Sequence, residues 1–303
     1  MPIYYPDILQ QAAPPVRFSY TEKDVMLYAL GIGLGSDPLD LRELDFVTEK
    51  ALKVYPTALT VLCSPATATQ APTVPLGLRL SSFDRVKTLH GEQRIEILRA
   101  IPPRGSFILE TRTTAAVDKG REKGAVIVSE WLWRGDDGSI VAILSSTSFA
   151  RGDGGFGGPT EGAPAPHIVP ERDPDFTVDI STRPDQALLY RLTGDFNPLH
   201  SRPEVAAQAG FPRPILHGMC TYGLTCRAVM RATGCDSESV QSHQLRFSSP
   251  VYPGEVVTVA LWRDDNVISF EASVQKRGVT VVKNGKTVLR GSGSSGAAAG
   301  SGT

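Results

Sequence analysis

Cysteine is scarce in this 303-residue chain, which has only Cys63, Cys220, Cys226 and Cys235. These four form no close pair with metal-ligand spacing, and their density is far below that of a disulfide-stapled fold. We therefore expect free thiols and a reducing compartment.

An excess of charge is also missing, since 31 Lys and Arg residues face 32 Asp and Glu residues, for a formal net charge of −1. This balance gives no electrostatic reason to expect nucleic acid as a partner. No stretch reaches the roughly 18 uninterrupted apolar residues of a membrane helix. The start of the chain also lacks the basic-then-apolar order of a secretory signal. We expect a soluble, intracellular protein with no membrane partner.

What the chain does have is an internal repeat. Tyr28 and Tyr190 both lie in short apolar runs with helical spacing, 162 positions apart. The run Asp37-Pro38-Leu39 parallels Asn197-Pro198-Leu199 at an offset of 160, and Gly91-Glu92 parallels Gly254-Glu255 at an offset of 163. Three matches at nearly one offset indicate a duplication.

Alternating apolar and polar residues follow each helical region and predict strands separated by turns such as Asp136-Asp137-Gly138 and Lys283-Asn284-Gly285. Because few helices interrupt these runs, the sheet should be antiparallel. The predicted strands are Arg94–Leu98, Phe107–Val117, Ala125–Trp133 and Ile140–Phe149 in the first copy, and Gln244–Phe247, Glu255–Trp262, Val267–Val274 and Thr280–Leu289 in the second.

The densest group of chemically active residues is the run Tyr190–His200. Pro198 disfavours helical geometry at Asn197, so Asp195, Asn197 and His200 should share a shaped loop. A carboxylate beside an imidazole can move protons to and from a water molecule. The structural alternative is that Asp195 caps a turn and His200 is an ordinary polar residue.

A metal site is a further alternative, because Asp195, His200 and His217 are permissible ligands, although their spacing fits none of the common zinc or calcium patterns. Gly218 precedes an apolar run with helical spacing that includes Thr221 and Leu224. At a helix start its N–H would be free to bind a developing oxyanion. An ordinary helix entry that needs a small residue explains the same glycine.

Two glycine-rich runs invite a phosphate-binding interpretation. The run Gly31–Gly35 follows a helical segment rather than a strand, so a dinucleotide-binding turn is not expected. The run Gly154–Gly158 could cradle a phosphate, but a linker is the preferred interpretation. It belongs to the Gly- and Pro-rich stretch Arg151–Pro170, which marks the join between the copies.

The run Tyr190–His200, YRLTGDFNPLH, closely resembles the hydratase 2 motif of R-specific enoyl-CoA hydratases and MaoC-like dehydratases. The resemblance is to the eukaryotic two-unit form, as in the hydratase part of peroxisomal multifunctional enzyme type 2. It extends over most of the chain through Leu89–Gln93, Asp118–Gly120, Arg151–Gly158, Pro214–Gly218, Arg246-Phe247 and Pro250–Gly254.

This resemblance implies an α+β fold of the double hot-dog type, in which each of two copies wraps an antiparallel sheet around a long helix. The expected units are residues 1–160, a binding half, residues 161–290, a catalytic half, and a flexible tail at 291–303. The resemblance assigns the nucleophilic water to Asp195 and His200, its positioning to Asn197 and the oxyanion contact to the Gly218 N–H. By the same carry-over, His90, Gly91, Lys119 and Phe247 contact the acyl-CoA.

The implied reaction is reversible hydration of a trans-2-enoyl-CoA to a (3R)-3-hydroxyacyl-CoA, with no metal or other cofactor. The first copy has Asp40 where the catalytic histidine would stand, which makes it the non-catalytic half. An acyl-CoA thioesterase and a non-catalytic acyl-CoA-binding module are the alternatives. The resemblance also allows a homodimer and implies a peroxisome, although the final Ser-Gly-Thr is not a Ser-Lys-Leu address. The cytoplasm is otherwise expected.

Overall fold

The computed structural model describes residues 3–10, 14–62 and 88–291. Within these residues the chain forms one antiparallel sheet of ten strands. The strands are β1 (Val16–Tyr20), β2 (Thr88–Ile97), β3 (Gly105–Asp118), β4 (Ala125–Arg134), β5 (Ile140–Ala150), β6 (Phe176–Ser181), β7 (Val240–Phe247), β8 (Val256–Asp264), β9 (Val267–Val274) and β10 (Val279–Leu289).

The strand order shows the duplication directly. The first five strands run β1-β3-β4-β5-β2, and the last five, read from the opposite edge, run β6-β8-β9-β10-β7. Each unit therefore has the same topology, with its second strand on the inside of the combined sheet. The antiparallel prediction is confirmed, and the repeat inferred from three sequence offsets corresponds to two copies of one five-stranded unit.

The two copies join where β2 pairs with β7. Residues Glu92–Glu96 face Arg246–Ser242 in antiparallel register, so the backbone ladder continues from one copy into the other. Side chains on either side of this seam can contribute to one site, although they come from sequence positions about 150 residues apart.

Seven α-helices lie among the described residues: α1 (Asp7–Gln10), α2 (Glu22–Gly31), α3 (Leu41–Leu44), α4 (Leu59–Leu62), α5 (Gln186–Tyr190), α6 (Pro203–Gln208) and α7 (Gly218–Thr233). The predicted helical runs around Tyr28 and Tyr190 are α2 and α5. They pack on each other, and their tyrosine rings meet edge to face at 6.2 Å. The Asp24 carboxylate accepts the Thr21 N–H at the start of α2. No described helix is long and apolar enough to span a bilayer.

The long helix of the second copy is α7, which packs against β6, β7 and β8. Thr221, Leu224, Thr225, Ala228 and Val229, the residues that predicted it, are all buried. The helix ends at Gly234, whose left-handed backbone (φ 66°) directs its N–H to the Met230 carbonyl. In the first copy, the position at the same offset of about 160 falls on α4 and on residues 63–87, which lie outside the described part of the chain.

A buried ion pair links α7 to the first copy. Arg227 donates to both carboxylate oxygens of Glu43 on α3, at 2.7 and 2.8 Å, and the two side chains are 4% and 7% exposed. Arg231 donates to the same carboxylate at 2.9 Å. Removing one member of such a pair leaves a buried charge without its partner, which typically costs about 3–5 kcal/mol.

One predicted turn is wrong. Lys283-Asn284-Gly285 lies inside β10 and not at its end, and the register of β10 shifts there against both neighbouring strands. Asn284 has φ 55°, and a Cβ on Gly285 would collide with the Phe270 ring. The residues that suit a tight turn form a bulge instead. Asp136-Asp137-Gly138 is a turn, as predicted, between β4 and β5.

Cys220, Cys226 and Cys235 are free, while Cys63 and the tail from residue 292 lie outside the described residues.

The run Gly31–Gly35 ends α2, as expected, and opens no dinucleotide turn. In the run Gly154–Gly158, the N–H groups of Gly155 and Gly157 donate to the Asp118 carboxylate at 2.7 and 2.8 Å. Two donors that a phosphate would need are therefore already engaged.

Candidate active site

A short loop after α5 carries the first group of predicted site residues. Gly194 takes a left-handed conformation (φ 119°), and the chain then passes through Asp195 and Asn197 into a 3-10 turn at Pro198–His200. The Asp195 carboxylate accepts the Asn197 N–H at 3.2 Å, and the Asn197 side chain accepts the Leu199 N–H at 3.0 Å. As Pro198 predicts, Asn197 has non-helical backbone angles. Asn197 therefore holds the shape of the loop, through its own side chain.

His200 is buried at the end of this loop. Its Nδ1 lies 2.9 Å from the Ile215 carbonyl oxygen, which can only accept, so Nδ1 carries the proton. The lone pair is then on Nε2. Burial lowers the pKa of His200 below its ordinary value, although the nearby Asp195 carboxylate acts in the opposite direction. The ring is consequently neutral near pH 7 and can accept a proton at Nε2.

His217 stacks on His200, with ring centroids 3.8 Å apart and planes inclined by 29°. Its Nε2 lies 3.2 Å from the Asp195 carbonyl oxygen, and it is the residue before α7. Sequence reasoning considered His217 only as a metal ligand and missed this contact. The available signal was a histidine directly before a glycine at a helix start, but its partner lies 22 positions away.

The Asp195 carboxylate and one ring nitrogen from each of His200 and His217 lie within 4.8 Å of one another. Two hydrogen bonds of about 2.8 Å to one water oxygen span roughly 4.6 Å, so a water molecule can bridge the carboxylate and one of the imidazoles. Asp195 is exposed and the histidines are buried. The carboxylate side of the cluster therefore faces solvent, whereas the two imidazoles are shielded from it.

The metal alternative requires lone pairs that converge on one point. The lone pairs of an imidazole lie in the plane of its ring, and the planes of His200 and His217 are nearly parallel and stacked. This arrangement directs the two lone pairs side by side rather than onto a shared ion. The geometry favours a water site over a metal centre.

Gly218 is the first residue of α7 and is exposed. In the first turn of α7, the N–H groups of Cys220 and Thr221 donate hydrogen bonds to the His217 carbonyl. The Gly218 N–H precedes them, at the positive end of a 16-residue helix. An oxygen that gains negative charge beside it would be stabilised.

Phe247 and His90 extend the site across the seam. A Cβ on Gly218 would lie 3.5 Å from the Phe247 ring of β7, and that ring meets the His90 ring of β2 edge to face at 5.0 Å. Gly91 follows at a bulge in the β2–β5 pairing, where any side chain would collide with the Phe149 ring. The site therefore extends from Gly218 through the Phe247 ring to His90 and Gly91.

Lys119 lies apart from this group. It follows the end of β3, is exposed, and donates to the Thr160 carbonyl at 2.9 Å. In the sheet, Asp118 pairs with Ala125, Ala125 pairs with Ala150, and Ala150 pairs with Thr88. Lys119 therefore lies at the same end of the sheet as His90, three strand spacings away, or roughly 14 Å. Its ammonium is therefore well separated from His90 and Phe247.

Comparison with known proteins agrees with this description. Residues 18–152 match the family described as the MFE-2 hydratase 2 N-terminal domain, and residues 167–285 match the MaoC like domain. The chain is 43% identical to the enoyl-CoA hydratase ChsH3 of Mycobacterium tuberculosis over 291 residues, covering 94% of this chain and 98% of that protein. It is 35% identical to the peroxisomal enoyl-CoA hydratase 2 of Arabidopsis thaliana, covering 95% and 96%.

The crystal structure of a MaoC-like dehydratase from Phytophthora capsici has a TM-score of 0.85 and 33% identity, covering 97% of this chain and all of that one. The fold and these likenesses define an enzyme of the double hot-dog type, in the hydro-lyase class. The chain belongs to the MaoC-like, hydratase 2 family, and the resemblance predicted from the run Tyr190–His200 is confirmed.

Proposed function

We propose that this protein hydrates a trans-2-enoyl-CoA reversibly to a (3R)-3-hydroxyacyl-CoA in fatty-acid metabolism. The water oxygen bonds to C3, a proton is added at C2, and the thioester stays intact. The observation that carries the proposal is the water-sized cluster of Asp195 and His200 near the start of α7, where the Gly218 N–H has no partner among the described residues. Relatives named as enoyl-CoA hydratases support it.

The geometry supports the proposed roles. The thioester oxygen accepts the Gly218 N–H, which draws electron density from C3 and stabilises the enolate-like transition state. Asp195 and His200 bind the attacking water, and the neutral Nε2 of His200 is one acceptor for its proton. Asn197 keeps the loop in shape. No metal or redox cofactor takes part in these steps.

The acyl-CoA contacts are proposed for His90, Gly91 and Phe247 near the thioester and for Lys119 near a CoA phosphate. Residues 1–160 form the binding half, residues 161–290 the catalytic half, and 291–303 a tail. Asp40, at the position of the catalytic histidine, accepts the N–H groups of Arg42 and Glu43 at the start of α3. That carboxylate is used as a helix cap, which supports a non-catalytic role for the first copy.

The proposed partner is the acyl-CoA substrate, and a homodimer is the proposed assembly. For location we propose the peroxisome, or the cytoplasm in a cell without that organelle. The relatives include proteins from both kinds of cell, a bacterial one and a plant one named as peroxisomal.

The experiment is to incubate the purified protein with trans-2-enoyl-CoA esters of several chain lengths and to analyse the products by chiral chromatography. A (3R)-3-hydroxyacyl-CoA with no release of free thiol is expected. Free CoA thiol would identify a thioesterase. Binding without turnover would identify a non-catalytic acyl-CoA-binding module. His200→Ala is the matched control, because it removes the imidazole and leaves the N–H of Gly218.

A further inference from the structure

His217 lies at the centre of the site, yet the proposed reaction gives it no proton to move. Its side chain is fully buried, at 0% exposure. One face of the ring stacks on His200, and the ring also contacts Tyr190, with centroids 4.9 Å apart. Its Nε2 reaches the Asp195 carbonyl oxygen. His217 therefore joins the catalytic loop to the start of α7.

The protonation state of His217 follows from its partners. The Asp195 carbonyl oxygen can only accept, so Nε2 carries the proton and Nδ1 carries the lone pair. Nδ1 is buried and has no hydrogen-bond partner in the described protein. A second proton there would create a buried cation with no acceptor.

The charged and titratable groups that face this ring are His200, Asp195, Arg191 and Tyr190. Burial, His200 and Arg191 lower the pKa of His217, whereas Asp195 acts in the opposite direction. Because the two imidazoles stack at 3.8 Å, a proton on one opposes a proton on the other. The pair is therefore arranged to hold His217 neutral.

We propose that His217 is a positioning residue, a permanently neutral imidazole in the Nε2–H form. It fixes the Asp195 backbone and covers one face of His200. This inference deepens the proposed function and rests on it for the role of His200. By keeping water off that face, His217 maintains the burial that leaves His200 neutral and ready to accept a proton from water.

Two substitutions separate the two contacts. His217→Phe keeps a flat ring against His200 but removes the donor to Asp195, and His217→Gln keeps a donor near the position of Nε2 but removes the stacked ring. We expect His217→Phe to lower kcat by about tenfold or more, with KM little changed, because loss of loop geometry alone can cost about 100-fold. Circular dichroism and the Tm establish that each variant is folded.

The pH dependence of kcat/KM distinguishes positioning from general structural support. In His217→Gln, water reaches His200, so the acid limb should move upward toward the ordinary histidine pKa of about 6.5. In His217→Phe, the limb should stay at its wild-type position. His167→Gln, which alters a histidine outside the site, should leave the profile unchanged. An unmoved limb in the glutamine variant, or wild-type kcat in the phenylalanine variant, would overturn the inference.

A second measurement does not depend on turnover. In protein with ¹⁵N-labelled histidine, the His217 signal should show the Nε2–H tautomer and no titration as the pH is lowered from about 8 to about 5, across the ordinary range of histidine. Titration of His217 near 6.5 would refute its neutrality even if the enzyme is active. Absence of hydration together with a neutral His217 would instead refute the proposed function and leave the protonation state of His217 established.

Discussion

Acid should destabilise the protein through His243, a histidine outside the active site. Its ring is fully buried between α7 and the sheet, and it lies parallel to the Phe270 ring at 5.0 Å. Thr225 donates its hydroxyl hydrogen to the Tyr222 carbonyl, so its oxygen accepts the His243 Nε2–H at 3.1 Å. His243 Nδ1 accepts from Thr287 at 2.7 Å. The neutral imidazole is fully hydrogen-bonded.

Burial lowers the pKa of His243 to about 3, from 6.5 in the unfolded chain. The unfolded state therefore binds a proton below about pH 6.5, and the folded state does not until about pH 3. Stability contributed by the neutral ring is present above pH 6.5 and is lost as the pH falls. At 1.36 kcal/mol per pH unit, the loss from this residue between pH 7.5 and pH 5 is about 2 kcal/mol.

The assay is urea unfolding at pH 7.5 and pH 5, followed by circular dichroism, for the wild type and His243→Gln. The variant loses stability at both pH values because its packing changes, so the quantity to compare is the difference between the two pH values. We expect that difference to be about 2 kcal/mol smaller in the variant. His167→Gln is the control, since that histidine is half-buried and should have a smaller effect. Equal acid losses in wild type and His243→Gln would refute the reasoning.

The remaining predictions concern the site and its surroundings. Asp195→Asn and His200→Ala should each lower kcat by about 100-fold or more, and a folded variant with near-normal turnover would lose its assigned role. Asp40→Ala should leave kcat unchanged and lower the free energy of unfolding by about 1 kcal/mol, because the α3 cap is lost. A lower kcat at unchanged stability would contradict the assignment of the first copy as non-catalytic. Lys119→Ala should raise KM more than it lowers kcat. Added salt should also raise KM, though less, since exposed charges are screened over about 10 Å at ~0.1 M. If neither the substitution nor the salt changes KM, Lys119 does not belong to the site. Dialysis against a chelator should leave kcat unchanged, whereas a loss restored by a divalent metal would establish the metal alternative.

Much of the fold was predictable because its longest elements have strong periodicity. All eight predicted strands are present, and the largest difference is at the start of β2, which begins at Thr88 rather than Arg94. The two strands that were missed, β1 and β6, are the edges of the sheet and are only five and six residues long. Both alternate apolar and polar residues, VRFSY and FTVDIS, but a run of five or six residues gives too short a periodic signal to stand out from its surroundings.

The incorrect turn at Lys283-Asn284-Gly285 has a different cause. A type I′ turn and the bulge found here both use positive φ, which Asn284 supplies (φ 55°) and which Asn-Gly pairs favour in either setting. Local sequence cannot distinguish them, because the decision depends on the neighbouring strands. The 3-10 turn at Gln275–Arg277, followed by Gly278, connects β9 to β10 instead.

The site was predictable where its residues lie in one run and unpredictable where they do not. Pro198 was enough to indicate the loop that carries Asp195 and His200. The stacking of His217 on His200, and the approach of Phe247 to His90, depend on contacts between separate elements. Those contacts are consequences of the sheet topology, which no local pattern encodes.

The seam between β2 and β7 has an evolutionary consequence. In a dimer of identical subunits every substitution occurs twice, once on each side of the symmetry axis. Here His90 and Phe247 meet across a pseudo-symmetric junction but belong to different parts of one chain. A mutation on one side is not repeated on the other. On the proposed division of roles, selection can reshape the first copy for new acyl groups while the second keeps its acid–base residues, so substrate range and reaction chemistry can change independently.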